Sequence, residues 1–382
     1  MAYNTTILNQ LLQLIPRLHF ETIAKHHHAD RYVKRFTCWN QLTTLLYAQA
    51  SGKESLREIE HGLAINDNRL YHLGLPYVKR STLADSNQRR DYRIFESLFY
   101  KILDRCKDYT PKHKFRFKNP LYSLDATVIA LCLSVFSWAK YGKTKGGIKL
   151  HYQFDHSGNI PSFLVITDAI RHEAPVVKRD FHLTPDSIYC FDRAYVDYAL
   201  FKLISEAKAY FVTRVKDNTD YEITGQHTNT LKKGILSDEV IKLNNMKYDK
   251  PLRLVRYYDN DSGELLEFIT NNFTLAPHTI TQIYKSRWQI EIFFKWIKQN
   301  LKIKTFLGTN RNAVMTQIWV AMCYYLLLTY IKYQSKYRES LFYLHRIISD
   351  TLLYRMTIID LLRASPARIQ KLEIPEIQLS FF

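Results

Sequence analysis

The first hundred residues carry a helical pattern of apolar positions. Two predicted helices flank a turn at Gly52, and the first of them runs from Cys38 to Ala50. Ser55, with Glu58 three residues later, has the pattern of a capping box at the start of the second helix. We therefore predict a helical amino-terminal domain over residues 1–110, in which a helix-turn-helix arrangement is possible.

The pattern changes after Pro120 and predicts an α/β core. The segment from Leu121 to Leu133 is rich in apolar and β-branched residues, as expected of a buried strand. Shorter runs of the same kind follow, and a helical segment separates the last two, which predicts a mixed sheet with crossover helices. The further strands are predicted at 149–154, 162–167, 188–191 and 210–215, and the helical segment at 198–207.

Residues 217–275 are more polar and have a hairpin pattern. An Asp-Ser-Gly sequence at residues 261–263 separates two strand-like runs, 252–258 and 265–270. This pattern predicts a β-rich insertion within the α/β core.

A single long helix is predicted from about Thr279 to Leu301. With it, the core is expected to comprise residues 118–216 and 276–335, followed by a helical carboxyl-terminal region at 336–382. The uncharged run from Ala313 to Ile331 approaches the length of a membrane-spanning helix. Because polar residues interrupt it and basic sequence flanks it, we interpret it as a buried core helix.

The composition indicates a globular protein with a polyanionic partner. Of its 382 residues, 46% are hydrophobic and 24% are charged, and the formal net charge is +18. Such an excess of positive charge is typical of proteins that bind nucleic acid or an anionic membrane. The five scattered cysteines form no CxxC pair, and the amino-terminal residues lack a signal-peptide pattern, so we expect a cytoplasmic protein.

Three acidic residues lie at positions that suggest more than a structural role. Asp125 lies inside an apolar strand, where an unpaired charge is expensive, and Asp192 directly follows the strand 188–191. Glu291 lies on the predicted long helix. Structural capping for the aspartates and an intrahelical pair between Arg287 and Glu291 are the simpler interpretations. Together, however, three carboxylates are suited to gathering Mg²⁺ for in-line phosphoryl transfer.

The helix that carries Glu291 also carries an aligned polar stripe. Tyr284, Arg287, Glu291 and Lys298 fall within about 60° of one another around a regular helix. Arg287 and Lys298 would bind phosphates, and Tyr284 would bind a phosphate oxygen or orient Glu291. An adjoining apolar face is predicted to pack on the sheet, formed by Ile283, Ile290, Phe294, Ile297 and Leu301.

The spacing of these four polar residues resembles the YREK signature of bacterial insertion-sequence transposases, the group named after insertion sequence four. Ser123–Thr127 resembles the strand with the first aspartate in that family, and Lys145–His151 resembles the hairpin that follows it. Phe191–Tyr195 resembles the second-aspartate motif, although Ala194 stands where glycine is more usual. The segments Phe36–Trp39, Ser51–Gly52 and Ser55–Ile59 are similar to the amino-terminal domain that accompanies these transposases.

This resemblance implies an RNase H-like fold with a β-rich insertion. It also implies metal-dependent DNA transposition with Mg²⁺, for which Mn²⁺ can substitute, at catalytic residues Asp125, Asp192 and Glu291. The partners would be double-stranded DNA, namely terminal inverted repeats and target DNA, and a second copy of the chain in a synaptic homodimer. Cleavage through a hairpin intermediate is implied as well, and no membrane is involved.

In such relatives a tryptophan of the insertion stacks on a flipped base, and this chain has no tryptophan between Arg193 and Lys285. Tyr257, Tyr258 or Phe268 could replace it, or these aromatics could fill the insertion's core.

Several further residues are candidates for DNA contact, each with a simpler interpretation as a solvated surface residue. Arg193 could instead pair with Asp192, and Trp288 could pack beneath the site. The candidates are Arg193, Lys295, Trp288, Lys145, Lys149, Lys79, Arg80, Arg89 and Arg90.

Three other functions remain open from the sequence. A nuclease without strand-transfer activity would share the metal site, and a non-catalytic DNA-binding derivative of a transposase would share the basic surface. A membrane-surface protein would use the apolar run at 313–331.

The charge balance yields a first prediction. If the chain makes about six or more phosphate contacts, its affinity for duplex DNA falls by about 10³-fold between about 50 and about 200 mM salt, because counterions are released on binding. Fluorescence anisotropy at a series of salt concentrations measures this slope. An affinity that does not change with salt would contradict the electrostatic interpretation.

Overall fold

The computed structural model describes residues 5–141, 145–227, 234–301 and 305–363. In chain order the helices are α1 (Ile7–Gln13), α2 (Arg17–His26), α3 (Cys38–Ala50), α4 (Leu56–Ile65), α5 (Asp67–Leu70), α6 (Arg80–Arg89), α7 (Arg93–Lys107), α8 (Glu173–Asp180), α9 (Tyr198–Glu206), α10 (Pro277–Ser286), α11 (Trp288–Asn300), α12 (Arg311–Gln334), α13 (Leu341–Thr351) and α14 (Ile358–Arg363). The strands are β1 (Leu121–Leu131), β2 (Lys140–Tyr141), β3 (Lys145–Asp155), β4 (Ile160–Asp168), β5 (Ile188–Phe191), β6 (Tyr210–Arg214), β7 (Tyr221–Gln226), β8 (Ile235–Leu243), β9 (Leu252–Asp259) and β10 (Glu264–Thr270).

The chain divides into two compact units. One comprises Met1–Thr110 together with Lys298–Phe382, and the other comprises Pro111–Ile297. This division differs from the predicted domains, because residues 298–335 group with the amino-terminal helices and not with the sheet. The reason is that α12 is apolar on every side and packs against α3, α6, α7 and α13.

The helix α12 forms the centre of the helical unit. Asn310 caps its first turn, and every residue from Ala313 to Ile331 is buried. By length and composition α12 is long and apolar enough to cross a membrane, but its most apolar stretch is wholly buried inside the protein. The prediction of a buried core helix is therefore confirmed.

The second unit is built on one large mixed sheet. Its strand order is β2-β3-β1-β5-β6-β10-β9-β8-β7, and β4 pairs with β3. The strand β1 runs antiparallel to β3 and parallel to β5, and β6 runs parallel to β5. The order β4-β3-β1-β5-β6 is the RNase H-like arrangement, so the predicted fold class is confirmed.

The β-rich insertion continues this sheet. Its strands β7 to β10 are antiparallel to one another, and β10 pairs with β6 of the core. The predicted hairpin is the pair β9–β10, and Gly263 in its turn has a φ of +70°, which favours glycine. The insertion is thus joined to the core by continuous hydrogen bonding between strands.

Helices cover both faces of the sheet, and the strand residues alternate between them. Leu124 and Phe191 pack in the cluster with α8 and α9. Leu121 and Ile188 pack in the other cluster, with the buried side chains of α10. Odd-numbered residues of β1 and even-numbered residues of β5 therefore face α10.

The predicted single long helix is instead two helices. Arg287 lies between α10 and α11, and its backbone N–H donates to Tyr284 while its carbonyl accepts from Ile290, both at 3.0 Å. These are bonds between residues three apart, which form a tighter turn between the two helices. The predicted apolar face is nevertheless buried, as Ile283 and Ile297 show.

Arg90 is a structural residue, so its predicted role in DNA contact is wrong. Its guanidinium is buried and donates to the carbonyls of Ala29, Thr37 and Phe36, and to Asp30. The neighbouring candidates Lys79, Arg80 and Arg89 are exposed. The local charge pattern did not distinguish them because all four lie in the same basic stretch.

The difference between Arg90 and Arg89 predicts different costs of substitution. Arg90→Met leaves several buried carbonyls without donors and should lower the free energy of unfolding by about 3 kcal/mol. The matched control, Arg89→Met, changes a side chain in contact with solvent and should leave stability nearly unchanged. Urea unfolding followed by circular dichroism measures both, and equal losses would refute the structural role of Arg90.

Candidate active site

Two aspartates lie at neighbouring positions where the pairing of β1 with β5 ends: Asp125 lies within β1, and Asp192 directly follows β5. Leu124 of β1 pairs with Phe191 of β5 in parallel register, and the next residue in each chain is Asp125 and Asp192. Adjacent strands are about 4.8 Å apart, and both aspartates have the parity that faces α10. The register therefore places two carboxylates at neighbouring positions on the same face.

Each aspartate makes one local backbone hydrogen bond. Asp125 Oδ1 accepts from the N–H of Ala126 at 2.7 Å, and Asp192 Oδ1 accepts from the N–H of Ala194 at 2.9 Å. The second bond caps a short 3₁₀ turn at Arg193–Tyr195. The capping role considered from the sequence is thus present at Asp192, and it orients the carboxylate.

Arg287 connects the strand to the helix that follows. Its Nη1 donates to Asp125 Oδ2 at 3.0 Å and its Nη2 donates to Glu291 Oε1 at 2.5 Å. Two bonds through one guanidinium hold the carboxylates of Asp125 and Glu291 within about 8 Å of each other. The Arg287–Glu291 pair is therefore linked to Asp125, which lies 162 residues before Arg287 in the sequence.

These three side chains are poorly exposed, which strengthens their interaction. The exposed fraction is 15% for Arg287, 16% for Asp125 and 33% for Glu291. The pKa of Asp125 is raised to about 7, chiefly by burial, and the charges of Asp192 and Glu291 act in the same direction. The Ala126 N–H and the Arg287 guanidinium lower it but do not outweigh burial. The site therefore has an excess of negative charge that a further cation would relieve.

Tyr284 supports Arg287 from α10. Its ring packs against Phe268, with ring centroids 5.0 Å apart, and the Arg287 guanidinium lies 5.8 Å from the centre of the tyrosine ring. Burial raises the pKa of Tyr284, so the phenol stays protonated and can donate a hydrogen bond.

Arg214 is a residue of this site that the sequence analysis missed. Cys190 pairs with Val212 in parallel register, so Asp192 and Arg214 occupy the next matching positions on the same face. The charge of Arg214 also opposes the rise in the pKa of Tyr284 that burial causes. The only signal in the sequence was an arginine at the end of an apolar strand.

The carboxylate oxygens of the site suit a hard divalent cation, but the acidic side chains are too far apart in this structure to surround one. In residues 5–141, 145–227, 234–301 and 305–363, no group of three or more His, Cys, Asp or Glu side chains is close enough to hold a metal ion. The carboxylates of Asp125 and Glu291 are instead spaced by the Arg287 guanidinium. Carboxylate oxygens are the ligands that Mg²⁺ and Mn²⁺ prefer, and a cation already stands between two of them.

The remaining residues of α11 differ in exposure. Trp288 has 59% of its surface exposed, so the interpretation that it packs beneath the site is wrong. It is the first residue of α11, and most of its side chain is in contact with solvent. Lys295 is exposed, and Lys298, two turns beyond Glu291, is partly buried.

Two other basic candidates are engaged within the protein. Lys149 donates to Glu173 at 2.8 Å and to the Arg171 carbonyl at 2.9 Å, with little exposure, so the expectation that it reaches DNA is not supported. Arg193 pairs with Asp217 at 3.2 Å and not with Asp192. The side chain of Lys145 lies outside the described residues.

The three aromatic candidates of the insertion differ in their exposure to solvent. Tyr257 and Phe268 are buried, while Tyr258 has 43% of its surface exposed on the β9–β10 hairpin. Tyr258 is therefore the one of the three whose ring is accessible to a nucleobase.

Comparison with known proteins gives a family for the chain. The model of the transposase DDE domain matches residues 116–327, which include all three acidic positions, and a domain of unknown function, DUF4372, matches residues 3–76. The "Putative transposase y4zB" of Sinorhizobium fredii is 34% identical over 64% of this chain and 69% of its own length. The "Probable transposase for insertion sequence element IS5377" of Geobacillus stearothermophilus is 28% identical over 88% of this chain and 87% of its own.

Among solved structures, a piggyBac transposase synaptic complex with hairpin DNA covers 97% of this chain and 80% of its own, at 10% identity and a TM-score of 0.46. That likeness is too low to support an argument about mechanism. The family model alone spans more than half of the chain. The chain belongs to the DDE transposase family and is a DNA-transposing enzyme of the insertion-sequence type.

Proposed function

We propose that Asp125, Asp192 and Glu291 hold the divalent ions with which this enzyme cuts and joins the ends of an insertion sequence, and that the ions are Mg²⁺. The contact of Arg287 with both Asp125 and Glu291 is the observation that carries the proposal. It brings a strand residue and a helix residue to one point, and the strand register adds Asp192.

In this proposal each side chain has one task. Mg²⁺, when bound, activates the attacking oxygen and stabilises the leaving oxygen. The three carboxylates bind and orient it. Arg287, released from the carboxylates, and Arg214 bind phosphate oxygens next to the scissile bond, and Lys298 binds a phosphate farther along the strand. Tyr284 holds Arg287 in position or donates to a phosphate oxygen.

Exposed basic and aromatic residues in each unit would bind DNA outside this site. Trp288 and Lys295 on α11 would contact the DNA end, and Tyr258 would stack on an unpaired base. On the helical unit, Lys79, Arg80 and Arg89 would contact the phosphate backbone.

We further propose cut-and-paste transposition through a hairpin intermediate, in a synaptic homodimer that acts on DNA of the bacterial nucleoid in the cytoplasm. In this scheme residues 1–110 form the DNA-binding domain and 217–275 form the insertion that contacts the hairpin.

Glu291→Gln tests the metal assignment. The substitution keeps the shape of the side chain but removes its charge, so DNA binding should persist while cleavage falls at least about 10³-fold. The substrate is a duplex carrying the inverted repeat that flanks the gene, and gels resolve nicked, hairpin and joined products. Glu206→Gln, at an exposed position of α9, is the matched control. A Glu291→Gln enzyme that cuts as well as the control would exclude Glu291 as a ligand, and cleavage by the parent without any joined product would indicate a nuclease.

The raised pKa of Asp125 predicts a pH dependence of metal binding. Because the proton and the metal compete for the same carboxylate, Mn²⁺ affinity of the DNA-free enzyme should rise as the pH increases through about 7. Titration by electron paramagnetic resonance between about pH 6 and about pH 8 measures it. Asp125→Asn should bind Mn²⁺ weakly at every pH. An unchanged pH profile in that variant would exclude Asp125 as the titrating ligand.

A further inference from the structure

The insertion contains a fully buried ion pair. Arg253 of β9 and Asp238 of β8 have exposed fractions of 1% and 0%. The contact is bidentate, with Nε to Oδ1 at 2.7 Å and Nη2 to Oδ2 at 2.8 Å. Two charges that lose their water gain little net stability from pairing, and apolar residues of the same volume often serve stability as well. Stability alone therefore does not explain why this buried pair is present.

The third guanidinium nitrogen points to a further role. Nη1 of Arg253 donates to the carbonyl of Asn272 at 3.2 Å and to the carbonyl of Leu275 at 2.6 Å. Both residues belong to the six-residue connection between β10 and α10. The side chain of Asn272, itself buried, accepts from the N–H groups of Thr274 and Leu275 and fixes the same turn from within.

The connection held by Arg253 leads directly into α10. Pro277 is the first residue of that helix, and Ala276 before it makes no side-chain capping bond. No cap on the helix itself fixes its start, whereas Arg253 holds the carbonyl of Leu275 two residues before it. The helix then runs to Ser286 and delivers Arg287 to Asp125 and Glu291.

We propose that Arg253, oriented by Asp238, is a positioning residue through which the insertion sets the placement of α10 and hence of Arg287 and Glu291 above the strand aspartates. This inference rests on the proposed function of the carboxylate site. Side chains that gather metal and phosphate must be placed to within about 1 Å, because a displacement of that size costs about 100-fold in rate. Arg253 acts on the site through the backbone of the connection and contacts no substrate.

Arg253→Lys tests the inference, because a lysine ammonium lacks the fork that binds the carboxylate and both carbonyls together. Single-turnover cleavage at saturating DNA should fall at least about tenfold, and Mn²⁺ affinity of the DNA-free enzyme should fall with it. DNA affinity should stay within about twofold of the parent, since the phosphate-binding surface is unchanged.

The chain provides a matched control on the same strand. Arg256 of β9 pairs with Glu239 of β8 and Glu267 of β10, and its described partners are confined to the insertion strands. Arg256→Lys should leave both cleavage and Mn²⁺ affinity close to those of the parent. Equal losses in the two variants, or a loss of thermal stability alone in Arg253→Lys, would overturn the inference.

A double variant keeps the inference testable if Arg253→Lys does not fold. Arg253→Met combined with Asp238→Leu removes both charges and retains the buried volume, which folded proteins often tolerate. It still lacks the donors for the two carbonyls, so cleavage and Mn²⁺ affinity should remain low in the folded protein. Parental cleavage by this variant would overturn the inference. An active Glu291→Gln enzyme would instead defeat the proposed function of the site.

Discussion

The placement of the Arg287 guanidinium between two carboxylates is the interaction on which the rest of the site depends. Asp125 belongs to an apolar strand, and burial alone disfavours its charge. A cation within hydrogen-bonding distance, the guanidinium of Arg287 between α10 and α11, offsets part of that cost. The strand that carries Asp125 and the two helices that flank Arg287 together position this contact. The fold therefore holds the charged side chains of the site close to one another.

Much of this arrangement could be predicted from the sequence because its signals are local. The apolar run at residues 188–191 predicts both ends of β5 correctly, and Asp192 directly follows the strand. Turn chemistry at Gly263 gives the β9–β10 hairpin. Residue type and spacing predict the three acidic positions of the proposed site together with Arg287.

What the sequence did not show depends on contacts between distant segments. Helical periodicity continues through Arg287, so it reveals neither the break at that residue nor its contact with a strand residue 162 positions away. Arg90 and Arg89 are indistinguishable by composition, yet one is buried among backbone carbonyls of a distant segment. Arg214 was missed for the same reason, because only the β5–β6 register places it beside Asp192.

A crystal structure of the enzyme soaked with Mn²⁺, recorded at the manganese absorption edge, tests the central claim most directly. The account predicts anomalous peaks bounded by Asp125, Asp192 and Glu291, with the Arg287 guanidinium moved away from at least one carboxylate. Carboxylates more than about 10 Å apart, or manganese bound elsewhere while Arg287 keeps both contacts, would contradict it.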